Sequence, residues 1–164
     1  MKNSKRINYY YQAPIGYLHF EVDDDFVYGI NSSDKPGESD KPNKLIRELI
    51  AQFDDYFSGK GKSFSVPLSF DGYTDFQKSV WRQLSKLSFG EVASYGELAS
   101  RVDNPKGARA VGNACGKNPY LIVIPCHRAI GVNGALGGFS SGLDTKRWLL
   151  KHEGVVTKEK KDKY

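Results

Sequence analysis

The chain has 164 residues, 39% hydrophobic and 26% charged, enough for one domain or two small ones. No apolar run reaches bilayer-spanning length, and the basic start Met1-Lys2-Asn3-Ser4-Lys5-Arg6 leads into polar and aromatic residues, so a soluble, intracellular (cytoplasmic) protein without a membrane partner is expected. Net charge is +5 and uneven: residues 1–71 carry 9 basic and 11 acidic side chains, residues 72–156 carry 11 and 6, and residues 157–164 carry 4 and 2.

The expected organisation is α+β, with an N-terminal α/β domain over 1–71, a mostly helical domain over 72–156 and a charged, disordered tail over 157–164. Ile7 to Gln12 and Gly16 to Val22 flank Ala13-Pro14-Ile15 and read as a hairpin, with a third strand over Phe26 to Ile30 after the turn Asp23-Asp24-Asp25. Asn31 to Pro42 is a polar loop, and Pro42 lies near the first turn of a helix. Leu45, Ile46, Leu49, Ile50, Phe53, Tyr56 and Phe57 recur at helical spacing up to Gly59, a core stripe rather than a binding platform. Phe64, Val66, Leu68 and Phe70 alternate like a half-buried strand.

Beyond Gly72, Thr74 or Asp75 can cap a helix whose face is Phe76, Val80, Leu84 and Leu87. Ser94-Tyr95-Gly96-Glu97 fits a capping box and starts a helix running to about Val102. Asp103-Asn104-Pro105-Lys106-Gly107 is a turn, and a second helix follows from Ala108 to about Gly116. Two short helices across a tight turn suggest a helix-turn-helix, and the small residues Ala108, Ala110, Gly112 and Ala114 suit close approach to a nucleic-acid backbone. A helical hairpin packed for stability has the same signature. The basic excess of this half is what a phosphate-binding surface needs, although ordinary solvation accounts for mild basicity too.

Tyr120-Leu121-Ile122-Val123-Ile124 reads as a strand that stops at Pro125, which places Cys126-His127-Arg128 at the rim of a core. An imidazole and nearby positive charge favour thiolate, the reactive form of cysteine. A small buried cysteine at a strand end fits the tetrapeptide equally well, and neighbours in an extended segment need not touch. Gly131, Gly134, Gly137, Gly138 and Gly142 form a loop that lacks the lysine-hydroxyl pair of a P-loop and suits a pocket wall. Asp144 or Thr145 is then placed to cap a last helix with Trp148, Leu149 and His152, ended by Gly154. The two cysteines, Cys115 and Cys126, and the scattered His19, His127 and His152 suggest neither a disulfide scaffold nor a metal site.

Taken together, Asn118-Pro119, Ile124-Pro125-Cys126-His127-Arg128, Gly137-Gly138-Phe139-Ser140, Trp148-Leu149-Leu150 and His152-Glu153-Gly154 resemble the O6-alkylguanine-DNA alkyltransferase family. The similarity runs from about Asp75 to Gly154. It implies a ribonuclease-H-like N-terminal domain and a (winged) helix-turn-helix in the C-terminal one. It further implies single-use DNA repair without a cofactor: an alkyl group, chiefly methyl, passes from O6 of a flipped-out guanine to Cys126, with O4-alkylthymine as a second candidate substrate. By the same resemblance His127 is the base that acts through a water, Glu153 orients it, Asn118 braces the site, Tyr95 donates to the departing guanine, Ser140 holds the alkylated base and Arg109 fills the gap in the stack. The implied partner is double-stranded DNA bearing O6-alkylguanine, bound through the minor groove with little sequence preference by a monomer. Cys115 stands where relatives often have another apolar side chain, and Ser141 where several have glycine, which leaves pocket width open. Two other readings are a lesion-binding module, against which Cys126 argues because such relatives replace the cysteine, and a thiol hydrolase, which requires an oxyanion hole and multiple turnover.

Overall fold

Alternating aromatic side chains build the first sheet. β1 (Ile7–Ala13) and β2 (Gly16–Val22) pair antiparallel from Ile7↔Val22 to Ala13↔Gly16, and β3 (Val27–Ser33) pairs with β2 on its other side. The structure is a computed structural model in which residues 4–156 are described; the tail expected over 157–164 lies outside them. The chain divides into two compact units, one holding residues up to Gly72 together with Pro119–Val123, the other Tyr73–Asn118 and the residues from Ile124 onward.

In the first unit, α1 (Lys44–Ser58) covers one sheet face with Leu45, Ile46, Leu49, Phe53 and Tyr56, all buried. The rings of Tyr11, Phe20 and Phe53 lie 5.4 to 5.8 Å apart, and the Tyr11 hydroxyl donates to Asp54 at 2.7 Å. Each such buried side chain contributes about 1.5–3 kcal/mol. Asn43, just after Pro42, caps α1 by accepting from the Ile46 amide, and Gly59 ends it at φ 83°.

Two expected strands are not continuous strands. From Phe64 to Phe70 a single bridge forms, Val27↔Leu68. The run Tyr120 to Ile124 makes one bridge, Ile30↔Tyr120, and then turns, with Ile122 at φ 71°. Tyr120, Leu121, Ile122 and Ile124 are all buried, so the run is apolar for burial rather than for ladder pairing. Two backbone bonds, Ile30 N–H to Pro119 O and Leu121 N–H to Ile30 O, assign residues 119–123 to the first unit, an excursion invisible to a contiguous 72–156 boundary.

The second unit carries four helices. α2 (Asp75–Ser85) and α3 (Tyr95–Arg101) each start with a capping box, Thr74 with Gln77 and Ser94 with Glu97. α4 (Ala108–Gly116) follows the expected turn, and Trp81 of α2 donates its indole N–H to the Ala114 carbonyl of α4 at 2.9 Å. α5 (Leu143–His152) is not capped by Asp144 or Thr145: Gly142, at φ 99°, takes the cap position, and Asp144 sits in the first turn and pairs with Arg147. A parallel pair of two-residue strands, β4 (Ala93–Ser94) and β5 (Ala129–Ile130), ties the start of α3 to the residues just after Cys126-His127-Arg128. Among the described residues no helix is long and apolar enough to cross a membrane.

Candidate active site

Pro125 leads into a single 3-10 turn over Cys126–Arg128, whose three side chains are all buried. This turn is the floor of a cavity of about 580 Å³. Tyr95 of α3, Arg109 and Cys115 of α4, and Phe139 and Ser140 of the glycine-rich loop are among its lining.

Asn118 is where the chain leaves the second unit, and Ile124 is where it returns. The Asn118 amide closes that gap, donating to Ile124 O at 2.7 Å and to Cys126 Sγ at 3.2 Å. Burial raises the Cys126 thiol above its ordinary pKa, against the lowering effects of the Asn118 bond and of the charge on Lys146. The resting group is therefore a thiol that needs a base. Positive charge does act on it, but from Lys146; Arg128, the cation suggested by the tetrapeptide, faces elsewhere.

Behind the thiol lies a buried chain of charge. His127 Nε2 meets Glu153 Oε2 at 2.7 Å. Arg128 grips the same carboxylate with both arms of its fork, Nε to Oε1 at 2.8 Å and Nη2 to Oε2 at 2.9 Å, and its Nη1 donates to Leu87 O. The Gly90 amide adds a fourth donor to Oε1 at 3.0 Å. These bonds hold Glu153 far below the usual carboxylate range although burial opposes them. Burial lowers His127, outweighing the pull of a carboxylate that Arg128 already engages. A neutral imidazole facing an ionised carboxylate must carry its proton on Nε2. Nδ1 is then the basic atom; it is buried and has no hydrogen-bond partner.

The pocket side is set differently. Tyr95 is half-buried, and burial pushes its phenol up to about 12, the two nearby cysteines adding to the effect. Gly137 lies at φ 71°, and a Cβ there would come within 2.7 Å of the Tyr95 ring, so only glycine allows this approach. Arg109 is exposed early in α4, with no hydrogen bond or ion pair among the described residues. Ser140 is exposed at the pocket wall. Cys115 is buried and lifted to about 12 by burial, with the Cys126 charge adding to the rise.

All seven residues singled out from the sequence therefore lie in one unit. Cys126 with Asn118, and His127 with Glu153, are directly bonded pairs; Tyr95, Arg109 and Ser140 line the cavity that Cys126 floors. Among the described residues no hydrogen bond joins Cys126 Sγ to His127, although the two are neighbours in a 3-10 turn rather than in an extended segment. The partner of Arg128 and the position of Lys146 went unforeseen. The fork of Arg128 on Glu153 had no local signal. Lys146, fully buried on α5, donates to Ala129 O at 2.6 Å, Gly138 O at 3.2 Å and Tyr95 Oη at 3.3 Å. Its signal was present: it shares the apolar stripe of Leu149 and Leu150 at i+3 and i+4. Among the described residues no three His, Cys, Asp or Glu side chains gather as a metal site would require.

Residues 75–155 match the family described as 6-O-methylguanine DNA methyltransferase, DNA binding domain. A methylated-DNA–protein-cysteine methyltransferase of Methanosarcina acetivorans is 43% identical over 150 residues, 88% of this chain and 96% of that protein. The chain belongs to the methylated-DNA–protein-cysteine methyltransferase family. Two solved structures of Mycobacterium tuberculosis share the fold of this methyltransferase chain. The O6-methylguanine methyltransferase superposes with TM-score 0.81 at 33% identity, over 94% of this chain and 97% of that one. The second, described as OGT in complex with DNA, has TM-score 0.80 at 36% identity, over 88% and 90%.

Proposed function

We propose that this methyltransferase repairs DNA directly, moving an alkyl group, chiefly methyl, from O6 of guanine to its own Cys126, once per molecule. The observation that carries the reading is the buried Cys126 thiol lining a cavity with ample room for a base, together with the buried His127–Glu153–Arg128 chain. His127 Nδ1 takes the thiol proton through a water, and Glu153 stabilises the imidazolium so formed. The sulfur lone pair attacks the saturated carbon and forms the C–S bond. The C–O pair returns to O6, and Tyr95, still protonated because its pKa lies near 12, supplies a proton to the leaving guanine. Asn118 supports the developing thiolate, and Ser140 holds the base at the wall. The thioether has no exit route, so turnover stops.

The target carbon is buried in a duplex, so the guanine is flipped into the cavity and the exposed Arg109 at the head of α4 occupies its place. The residues 72–156 act as the DNA-binding and transfer domain, with α3 and α4 as a helix-turn-helix in the minor groove, and bind with little sequence preference. Its net +5 supplies phosphate contacts. We read the second unit as a winged helix-turn-helix and the first, three antiparallel strands under one helix, as ribonuclease-H-like. O4-alkylthymine fits the same transfer chemistry and is a second candidate.

The test is intact mass after incubation with an oligonucleotide containing O6-methylguanine. One methyl on Cys126 and no more per protein is expected, and Cys126→Ala should gain none. Retained lesion binding without mass gain would replace repair with a lesion-binding role.

A further inference from the structure

Lys146 is the one buried cation in the second unit without a carboxylate partner among the described residues. Its Nζ instead meets three neutral acceptors, the Ala129 carbonyl, the Gly138 carbonyl and the Tyr95 hydroxyl, and lies 5.6 Å from the Tyr95 ring and 6.0 Å from that of Phe139. An ammonium has three protons and no lone pair, so three acceptors satisfy it. For stability alone this is a poor choice: burying a charge without a counter-ion costs more than burying a methionine of similar length. A buried charge kept beside a reacting pocket points to a functional demand.

The demand follows from the direction of one hydrogen bond. Because Lys146 donates to the Tyr95 oxygen, Tyr95 cannot point its own proton back at Lys146. That proton has only a long contact to Gly138 O, 3.4 Å, which is weak. It is therefore available to a guest in the cavity. Donation from a cation also polarises the phenol and makes its remaining O–H a stronger donor.

We propose that Lys146 is a positioning residue for leaving-group protonation: its ammonium holds the Tyr95 hydroxyl as a donor into the pocket and pins the Gly138 wall beside it. The inference rests on the reading of Tyr95 as the donor to the departing guanine. A neutral Lys146 would present a lone pair, and the Tyr95 proton would turn to it. The titratable groups facing Nζ are Tyr95 from α3, Cys115 from α4 and Cys126 from the 3-10 turn, with His127 near enough to feel its charge. Burial brings Lys146 down to about 8, with the two cysteines opposing, so the switch falls within an accessible pH range.

The test is single-turnover methyl transfer from an O6-methylguanine oligonucleotide by the full chain, as wild type, Tyr95→Phe, Lys146→Met and the double variant. Lys146→Met should slow transfer at least about 10-fold at neutral pH, a part of the roughly 10²–10⁴-fold that proton-transfer catalysis contributes. Added to Tyr95→Phe, it should cost no more than about twofold beyond any change in the reactivity of the thiol itself, since the two act as one unit in proton donation. Alkylation of Cys126 by iodoacetamide, whose iodide needs no proton, reads the effect of the Lys146 charge on the thiol itself, and methyl transfer should fall at least about threefold further than it does. Equal loss in both reactions, or multiplicative loss in the double variant, overturns the proposal. A measurement without any Lys146 variant covers the case that Lys146→Met does not fold. The rate ratio of wild type to Tyr95→Phe should be flat below about pH 8 and fall towards unity above it as Lys146 loses its proton. A ratio that stays flat to about pH 9.5 overturns the role of Lys146 alone. A wild-type rate for Tyr95→Phe at neutral pH overturns the donor reading itself, and this inference with it.

Discussion

Glu153→Gln changes one oxygen into an NH2 and should cripple both folding and transfer, for reasons that the four donors around the carboxylate make explicit. Oε1 receives Arg128 Nε and Gly90 N; Oε2 receives His127 Nε2 and Arg128 Nη2. A glutamine can place its oxygen at only one of the two positions. With the oxygen at Oε2, the NH2 faces Arg128 Nε and the Gly90 amide, two donors with no alternative. With the oxygen at Oε1, the NH2 faces Arg128 Nη2 and His127. The second arrangement is the better one because His127 can relieve its half by moving its proton from Nε2 to Nδ1. That relief removes the only basic atom able to serve Cys126. In either case the buried guanidinium of Arg128 loses its counter-ion. Removing one partner of a buried pair costs about 3–5 kcal/mol. For a chain of this size that lowers the melting temperature by on the order of 10 °C. Loss of a general base slows transfer by roughly 10²–10⁴-fold. Thermal melts and single-turnover methyl transfer at a temperature where the variant is folded separate the two effects. A variant within about 1 kcal/mol of wild type would show that the buried pair is not held as described. A near-wild-type rate would show that the tautomer of His127 does not govern transfer.

Four further outcomes follow from the same geometry. Stability should fall with acid in two stages: the folded His127 has a lowered pKa, so the unfolded state takes up more protons and stability is lost as pH falls below about 6.5, while Glu153, also depressed, adds its loss below about 4.5; denaturant titrations across pH check both. Arg109→Ala should slow transfer from duplex DNA while leaving transfer from the free O6-alkylguanine base unchanged, because the side chain replaces a flipped base and does no chemistry; equal loss with both substrates would contradict that role. Gly137→Ala should reduce transfer sharply, since a Cβ at φ 71° meets the Tyr95 ring at 2.7 Å; an unaffected rate would mean that Tyr95 has room to shift. Trp81→Phe removes one of two donors to the Ala114 carbonyl, which keeps the Lys117 amide at 3.2 Å, and should cost about 0.5–1.5 kcal/mol by urea unfolding.

How far the chain could be read from its sequence depended on the distance between a residue and its partners. The hairpin, α1, α2 and α3 declare themselves locally: their apolar periodicity, Asn43, Thr74 with Gln77 and Ser94 with Glu97 all act within one turn. The run Tyr120 to Ile124 is apolar because of where it is buried, and no local pattern separates a strand from a buried turn with Ile122 at positive φ. At α5, Asp144 has the chemistry of a cap, yet Gly142, which provides no side-chain bond, takes the position through its backbone. In the site, Cys126 and His127 stand out by their own chemistry, but Glu153 was reached only through the family resemblance, since spacing alone cannot bring His127 to a carboxylate 26 residues away.

The buried cations expose the same limit from the other side. Counted from sequence, Arg128 and Lys146 belong to the basic excess of residues 72–156, the footprint ascribed to phosphate binding. In the structure both point inward, as does Glu153. Removing these three leaves nine basic against five acidic side chains at or near the surface, a net +4. The inference about phosphate therefore survives, because the buried charges nearly cancel in number. Their purposes diverge, however. Arg128 is paired with Glu153, which in the proposed mechanism supports the base that makes the nucleophile. Lys146 has no carboxylate and faces the phenol on the other side of the pocket. In the proposed mechanism one cation thus stands behind the proton that leaves the thiol, the other behind the proton that reaches the guanine. On that proposal a transfer with no turnover needs both to be in place before the base arrives, and a count of charges along the sequence does not separate either of them from surface charge.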